Sequence, residues 1–265
     1  MSIAWYPGHM AKTRNRHQSM LKSIDVILWM VDARAPFSTL DPTLKKTFNN
    51  KPFLIVINKK DLVKASYLDA VKARFAEQGM PAVMIRAYKA QDVKALIKTA
   101  ERMQSNRRKI GGLRVSILGV PNTGKSTLIN QLAGKSTQPV ANTPGITKAL
   151  RWVETPYGSI LDTPGILWPK IEDVEVGLKM AILGSIKDTM IPYGAAIDLL
   201  MDRLYTHPES KLKALYPGLE PLAILEKIAV DEGFKTAHSF DEMALYQRLL
   251  KDYRSGHFGK VPLDD

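Results

Sequence analysis

Gly119-Val120-Pro121-Asn122-Thr123-Gly124-Lys125-Ser126 sets two glycines around four residues and follows them with a lysine and a hydroxyl. A loop of this type turns backbone N–H groups toward an anion, and a helix starting at its end adds partial positive charge. The apolar run Leu113 to Leu118 precedes the loop and an amphipathic stretch begins around Gly124, the strand–loop–helix setting of a phosphate-binding loop. Lys125 then reaches between the β and γ phosphates of a nucleotide, and the Ser126 hydroxyl is the candidate Mg²⁺ ligand. Asn122, Thr123, Gly124, Lys125, Ser126 and Thr127 form the candidate phosphate contacts.

Asp162-Thr163-Pro164-Gly165 follows the short apolar segment Ser159 to Leu161. Its acid can hold Mg²⁺ through water, and the Gly165 N–H can face the γ-phosphate; alone, the same four residues could be a helix cap or a turn. Asn58-Lys59-Lys60-Asp61 ends another apolar run. Its carboxylate can accept both guanine N1–H and the exocyclic amine, a pair adenine does not present, so ATP is disfavoured and GTP is the expected substrate, GDP the product. Asn58 would brace the loop and Lys59 would lay its aliphatic stem along the base. Ala87-Tyr88-Lys89 follows a third run, where the Ala87 backbone can meet guanine O6. Within Thr143-Pro144-Gly145-Ile146-Thr147, Thr147 can close over Mg²⁺ when a γ-phosphate is present, with Thr143 as the alternative. The base-reading segment precedes the phosphate loop, so the motif order is permuted.

These residues need a scaffold of parallel strands. Ile24 to Val31 is continuously apolar and ends at Asp32, as a buried strand does when its carboxyl end carries an acid. Further strands are expected at Phe53–Ile57, Ala82–Arg86, Leu113–Leu118, Ala149–Glu154 and Ser159–Leu161. Helices are expected at Lys12–Lys22, Ser66–Glu77, Asp92–Met103 and from Gly124. This is an α/β sheet covered on both faces. From Val174 the apolar spacing becomes helical, broken at Pro192, Pro208, Pro217 and Pro221. The reading is therefore a circularly permuted P-loop domain over residues 1–173, with a basic amino-terminal segment, and an all-helical domain over residues 174–265, a candidate for RNA binding on its late basic residues.

Bulk composition limits the alternatives. The 265 residues contain no cysteine, which removes disulfides, thiolate catalysis and cysteine zinc sites. The longest apolar run is far too short to cross a bilayer, and no targeting segment is read, so a chain without membrane association is expected. A net charge of +12 favours a polyanionic partner. The cations cluster: Lys12, Arg14, Arg16 and Lys22 lie in a stretch without acids, Arg107, Arg108 and Lys109 in a polar linker, and Lys251, Arg254 and Lys260 late in the chain. Lys12, Arg14, Arg107, Arg108, Lys109, Lys251, Arg254 and Lys260 are the candidate RNA contacts. Tyr253 and Phe258 can stack on unpaired bases or pack in the core.

Together with Trp5-Tyr6-Pro7-Gly8-His9-Met10, Asp32-Ala33-Arg34 and Trp168-Pro169-Lys170, these motifs make the chain resemble the circularly permuted ribosome-assembly GTPases, in particular the bacterial ribosome biogenesis GTPase A group. The resemblance implies a cytoplasmic GTPase that binds a late precursor of the large subunit and its rRNA and is stimulated by that particle; a monomer off the ribosome is expected, with dimer formation left open by the sequence. A GTP-gated RNA-binding module without turnover, and a GTPase of small-subunit or mitochondrial ribosome assembly, are the other readings. The position after Gly165, where small GTPases carry a water-orienting glutamine, holds Ile166, whose side chain cannot hydrogen-bond. The resemblance suggests His9 for that task, against RNA contact or packing, and makes Asn122 a K⁺ ligand beside the phosphates, against a loop-stabilising role. Tyr88 and Thr123 depart from the family's usual residues. Asp32 and Arg34 fit a structural ion pair or a contact to the permutation linker.

Overall fold

The computed structural model describes residues 19–43, 51–104, 112–134, 151–163, 171–186, 192–236 and 238–264. Six strands form one sheet: β1 (Val26–Asp32), β2 (Phe53–Asn58), β3 (Ala82–Ile85), β4 (Leu113–Leu118), β5 (Arg151–Thr155) and β6 (Gly158–Asp162), in the order β3-β2-β1-β4-β6-β5. All neighbours run parallel except β5, which returns on β6 through a tight turn. β1 lies at the centre and is buried at every position, which is why its sequence shows no polar alternation. Ile27, Trp29 and Val31 face one way and Val26, Leu28 and Met30 the other, each set joining its own apolar cluster.

Helix α1 (Ala65–Glu77) covers the first face with Leu68, Val71 and Phe75. On the second face lie α2 (Ala90–Met103), through Val93, Leu96, Ile97 and Ala100, and α3 (Lys125–Ala133), through Leu128, Ile129 and Leu132. The α2 spacing is the apolar stripe of an amphipathic helix. Residues 12–18 of the helix expected at Lys12–Lys22 lie outside the described residues. Its end departs from the expectation, since Leu21–Ser23 is a 3-10 turn in which Ser23 Oγ donates to Met20 O at 2.8 Å, competing with α-helical pairing.

The remaining helices are α4 (Val174–Ile182), α5 (Tyr193–Thr206), the single turn α6 (Leu212–Leu215), α7 (Pro221–Asp231) and α8 (Glu242–Ser255). Asp173 caps α4 and Asp241 caps α8 by accepting from the first-turn N–H groups. These helices share a separate apolar cluster built around Leu200, Leu204, Ile224, Leu249 and Tyr253, and Ala35, just beyond β1, belongs to it. Tyr253 and Phe258 are both buried here, and Tyr253 Oη donates to Val261 O at 2.8 Å, so core packing is their role and base stacking is excluded.

The chain leaves β1 toward β2 and β3 on one side, and returns to β4 and β6 on the other. That reversal opens a crevice beyond the carboxyl ends of β1 and β4, where open α/β sheets take their ligands. Asp32 and Asn58 are register partners at this edge, and Asp162 stands opposite Ile117 of β4.

Candidate functional site

The loop from Gly119 to Gly124 joins β4 to α3 in the crevice. Gly119 has φ +148° and a Cβ there would meet Met30 O; Gly124 has φ +97° and its Cβ would meet Asn58 Nδ2. Both positions therefore need glycine for space as well as for backbone freedom. Thr123 Oγ1 donates to Val120 O at 2.9 Å, and Lys125 Nζ donates to Gly119 O at 3.0 Å and Val120 O at 2.8 Å. The ammonium is thus folded back on the loop, buried, and its pKa is lowered to about 8 by loss of solvation, with Asp162 partly offsetting the loss. A buried cation on the first residue of a helix lies where the helix N-terminus favours an anion. Ser126 and Thr127 occupy the first turn of α3 beside it.

The base-reading segment is tied to this loop directly. Asn58 Nδ2 donates to Thr123 O at 2.8 Å, while its Oδ1 accepts from Ala87 N at 2.9 Å. One buried amide therefore joins the phosphate loop, β2 and the loop after β3. Lys59 adopts φ +63°, a left-handed conformation uncommon for a side-chain-bearing residue, and so bends the chain just before Asp61. Its Nζ donates to Asp32 Oδ2 at 2.7 Å and to Asn122 O at 2.8 Å. Lys60 pairs with Asp92 at 3.0 Å, and Asp92 also receives the Arg86 N–H and guanidinium. Tyr88 Oη donates to Asp61 Oδ2 at 3.0 Å.

Asp32 holds two cations. Arg34 reaches it through Nε at 2.9 Å to Oδ1 and Nη2 at 2.9 Å to Oδ2, a bidentate fork. Burial alone would raise the Asp32 pKa, but Arg34 and Lys59 hold the carboxyl well below the usual carboxylate range. Arg34 Nη1 also donates to Tyr253 O and Arg254 O at the end of α8. This pairing was one of the alternatives open in the sequence, whereas the reach to α8 was not foreseen: the partners are separated by 219 and 220 positions.

At the far side of the crevice Asp162 is buried, with Arg151 Nε at 3.6 Å from Oδ2, and Thr163 Oγ1 donates to Ile117 O at 2.5 Å. The helical region meets the phosphate loop here: Asn122 Nδ2 donates to Gly184 O at 2.5 Å, and Ser185 Oγ to Pro121 O at 2.7 Å.

Arg254, assigned from the sequence to an RNA-facing surface, is partly buried and donates Nε to Ile182 O and Nη2 to Ala181 O, each at 2.7 Å. It caps the carboxyl end of α4, and this internal engagement corrects the surface assignment. Lys251 and Lys260 are exposed, and Lys260 lines a cavity of ≈ 440 Å³ together with Asp61, Lys60 and Arg86. His9, Lys12, Arg14, Arg107, Arg108, Lys109, Thr143, Thr147 and Gly165 lie outside the described residues. Asp92 and Asp264 were missed from the sequence; an acid in the first turn of a helix, as Asp92 is in α2, was the signal for the first.

Residues 114–213 match the model of the family described as 50S ribosome-binding GTPase. Ribosome biogenesis GTPase A of Bacillus licheniformis is 40% identical over 282 residues, covering 100% of this chain and 98% of that protein. Mitochondrial ribosome-associated GTPase 1 of Mus musculus is 36% identical, covering 98% of this chain and 89% of the relative. The crystal structure of GNP-bound YlqF from T. maritima superposes with a TM-score of 0.71 at 24% identity, covering 95% and 97% of the two chains, which establishes a shared fold. With the phosphate loop and the base-reading segment joined at one crevice and this similarity running along its whole length, the chain belongs to the ribosome biogenesis GTPase A family.

Proposed function

We propose that the chain binds GTP in the crevice beyond β1 and β4, hydrolyses it to GDP, and couples the cycle to late assembly of the large ribosomal subunit in the cytoplasm. The observation that carries this reading is the pair of hydrogen bonds from Asn58 to Thr123 O and from Lys59 to Asn122 O. They brace a base-reading segment and a phosphate cradle into one body, with Asp61 at the base end and Lys125 at the phosphate end. The names borne by the relatives supply the ribosomal context.

Mg²⁺ suits the donor chemistry: a hydroxyl at Ser126 and a buried carboxylate at Asp162 are hard oxygen donors, with Thr147 as the third residue of the proposed set. When bound, the ion would neutralise charge on the phosphates. Lys125 binds the β and γ phosphates, the Gly165 N–H faces the γ-phosphate, and His9 orients the attacking water. Asn122 would hold K⁺, and the ion would add positive charge beside the phosphates.

Residues 1–173 form the GTPase domain and 174–265 the helical domain of this proposal. Lys12, Arg14, Arg107, Arg108, Lys109, Lys251 and Lys260 form the RNA-facing set, while Arg254 holds α4. Phosphate attraction gives a fast, salt-sensitive encounter. The test combines calorimetry of GDP against ADP with phosphate release and sedimentation on small, mature large and precursor large subunits. Preference for GDP, turnover raised by the precursor large subunit and co-sedimentation with it are expected. Equal affinity for ADP would sink the guanine reading; unchanged turnover would leave a GTP-gated binder, and preference for the small subunit would move the target. The 36% identity to the mitochondrial relative motivates a parallel arm with mitochondrial large subunits.

A further inference from the structure

Every residue of the base-reading segment except Asp61 is anchored to buried or half-buried structure. Asn58 holds Thr123 and Ala87, Lys59 holds Asp32 and Asn122, and Lys60 holds Asp92 and Met84 O. Asp61 is exposed, and its carboxylate meets the phenol of Tyr88, itself 52% exposed, at 3.0 Å. The Tyr88 backbone is not free to wander. Ala87 is buried and bonded to Asn58, Lys89 N donates to Arg86 O at 2.9 Å, and Arg86 is locked on Asp92. A braced turn therefore carries an exposed tyrosine whose polar end reaches the one exposed side chain of the segment.

We propose that Tyr88 is a positioning residue for guanine specificity: its hydroxyl fixes the Asp61 carboxylate in the orientation needed to accept the base's two N–H groups together. This inference rests on the guanine reading of the same segment. A carboxylate that must accept two parallel hydrogen bonds gains more from a fixed rotamer than one accepting a single bond, because both are lost when the plane turns. Each carboxylate oxygen has two acceptor sites, so Tyr88 can keep its bond while the base makes its own. Hypoxanthine keeps N1–H but lacks the exocyclic amine. The ratio of GDP to IDP affinity therefore reads how well Asp61 is held.

The experiment is calorimetric titration of the full chain and of Tyr88→Phe with GDP, IDP and ADP, with thermal unfolding as a control for folding. Tyr88→Phe removes one oxygen from an exposed side chain. It is expected to lower the GDP-to-IDP affinity ratio about three- to tenfold, the size of one lost hydrogen bond's effect, with an unchanged melting temperature. A ratio equal to or above that of the unsubstituted chain overturns the proposal, whatever happens to the absolute affinities. If the unsubstituted chain itself does not prefer GDP over ADP, the guanine reading of the segment fails rather than the role given to Tyr88.

Discussion

The ammonium of Lys59 lies 2.7 Å from the carboxylate of Asp32, joining the base-reading segment to the end of the central strand. The same carboxylate carries Arg34, whose remaining nitrogen reaches α8. Base reading, sheet edge and helical region thus share one buried charge.

Asp32→Asn leaves two cations facing an amide. A loss of about 3 kcal/mol or more in unfolding free energy at pH 7 is expected, the size associated with removing one member of a buried ionic group. Because the folded pKa of Asp32 is depressed, its contribution is fully present above about pH 4 and is lost as pH falls through the lower folded value. Urea unfolding from pH 7 to pH 2 should show a steeper acid decline for the unsubstituted chain than for the variant. Parallel curves would show that Asp32 is not the group that titrates.

Lys125 predicts proton uptake. Its folded pKa of about 8 lies below the ordinary lysine value, so the charged form costs stability at neutral pH and the cost is relieved as pH rises from about 8 toward 10.4. Phosphates placed against the ammonium raise its pKa. At pH 8.5, nucleotide binding should be accompanied by proton uptake, part of one proton per nucleotide, measured by calorimetry in buffers of different ionisation enthalpy. Lys125→Met should abolish the uptake; a buffer-independent enthalpy for the unsubstituted chain would mean the ammonium is already fully charged.

Gly124→Ala brings a methyl group against Asn58 Nδ2. The amide must leave Thr123 O, and nucleotide affinity is expected to fall by at least about tenfold, one hydrogen bond to the cradle plus backbone strain at positive φ. Asn58→Ala removes the clashing group, so the stability losses of the double variant should sum to less than those of the single variants. Strict additivity in thermal unfolding would place the strain elsewhere.

Arg254→Gln and the pair Lys251→Gln with Lys260→Gln should separate structure from attraction. The first strands carbonyls at the end of α4 and is expected to cost about 1–3 kcal/mol. The second should leave stability within about 0.5 kcal/mol and flatten the salt dependence of particle association by up to about two units of slope. A salt slope unchanged in the lysine pair would remove those residues from the RNA-facing set.

The strands were legible because each apolar run is bounded by a chemical signal, as at Asp32, Asn58 and Gly119. The helix that starts at Val174 was legible from the change of apolar spacing. Arg254 was not, because charge patterning records that a side chain is cationic but not that helix carbonyls 72 and 73 positions earlier accept its hydrogens. Lys59 illustrates the same limit. The motif implies its stem, while the destination of its head depends on a strand whose register no local pattern contains.

Asp264 accepts from Phe37 N at 2.8 Å, Ser38 N at 2.9 Å and Ser38 Oγ at 2.5 Å, and Leu263 N donates to Arg34 O at 2.6 Å. The turn after β1 is therefore completed by residues some 226 positions later. During translation at about 5–20 residues per second, that turn waits roughly 11 to 45 seconds for its partner. The sheet can assemble in that interval, but the brace behind Arg34 closes only after Asp264 has been made, so the crevice reaches its finished form after the helical region that precedes Asp264.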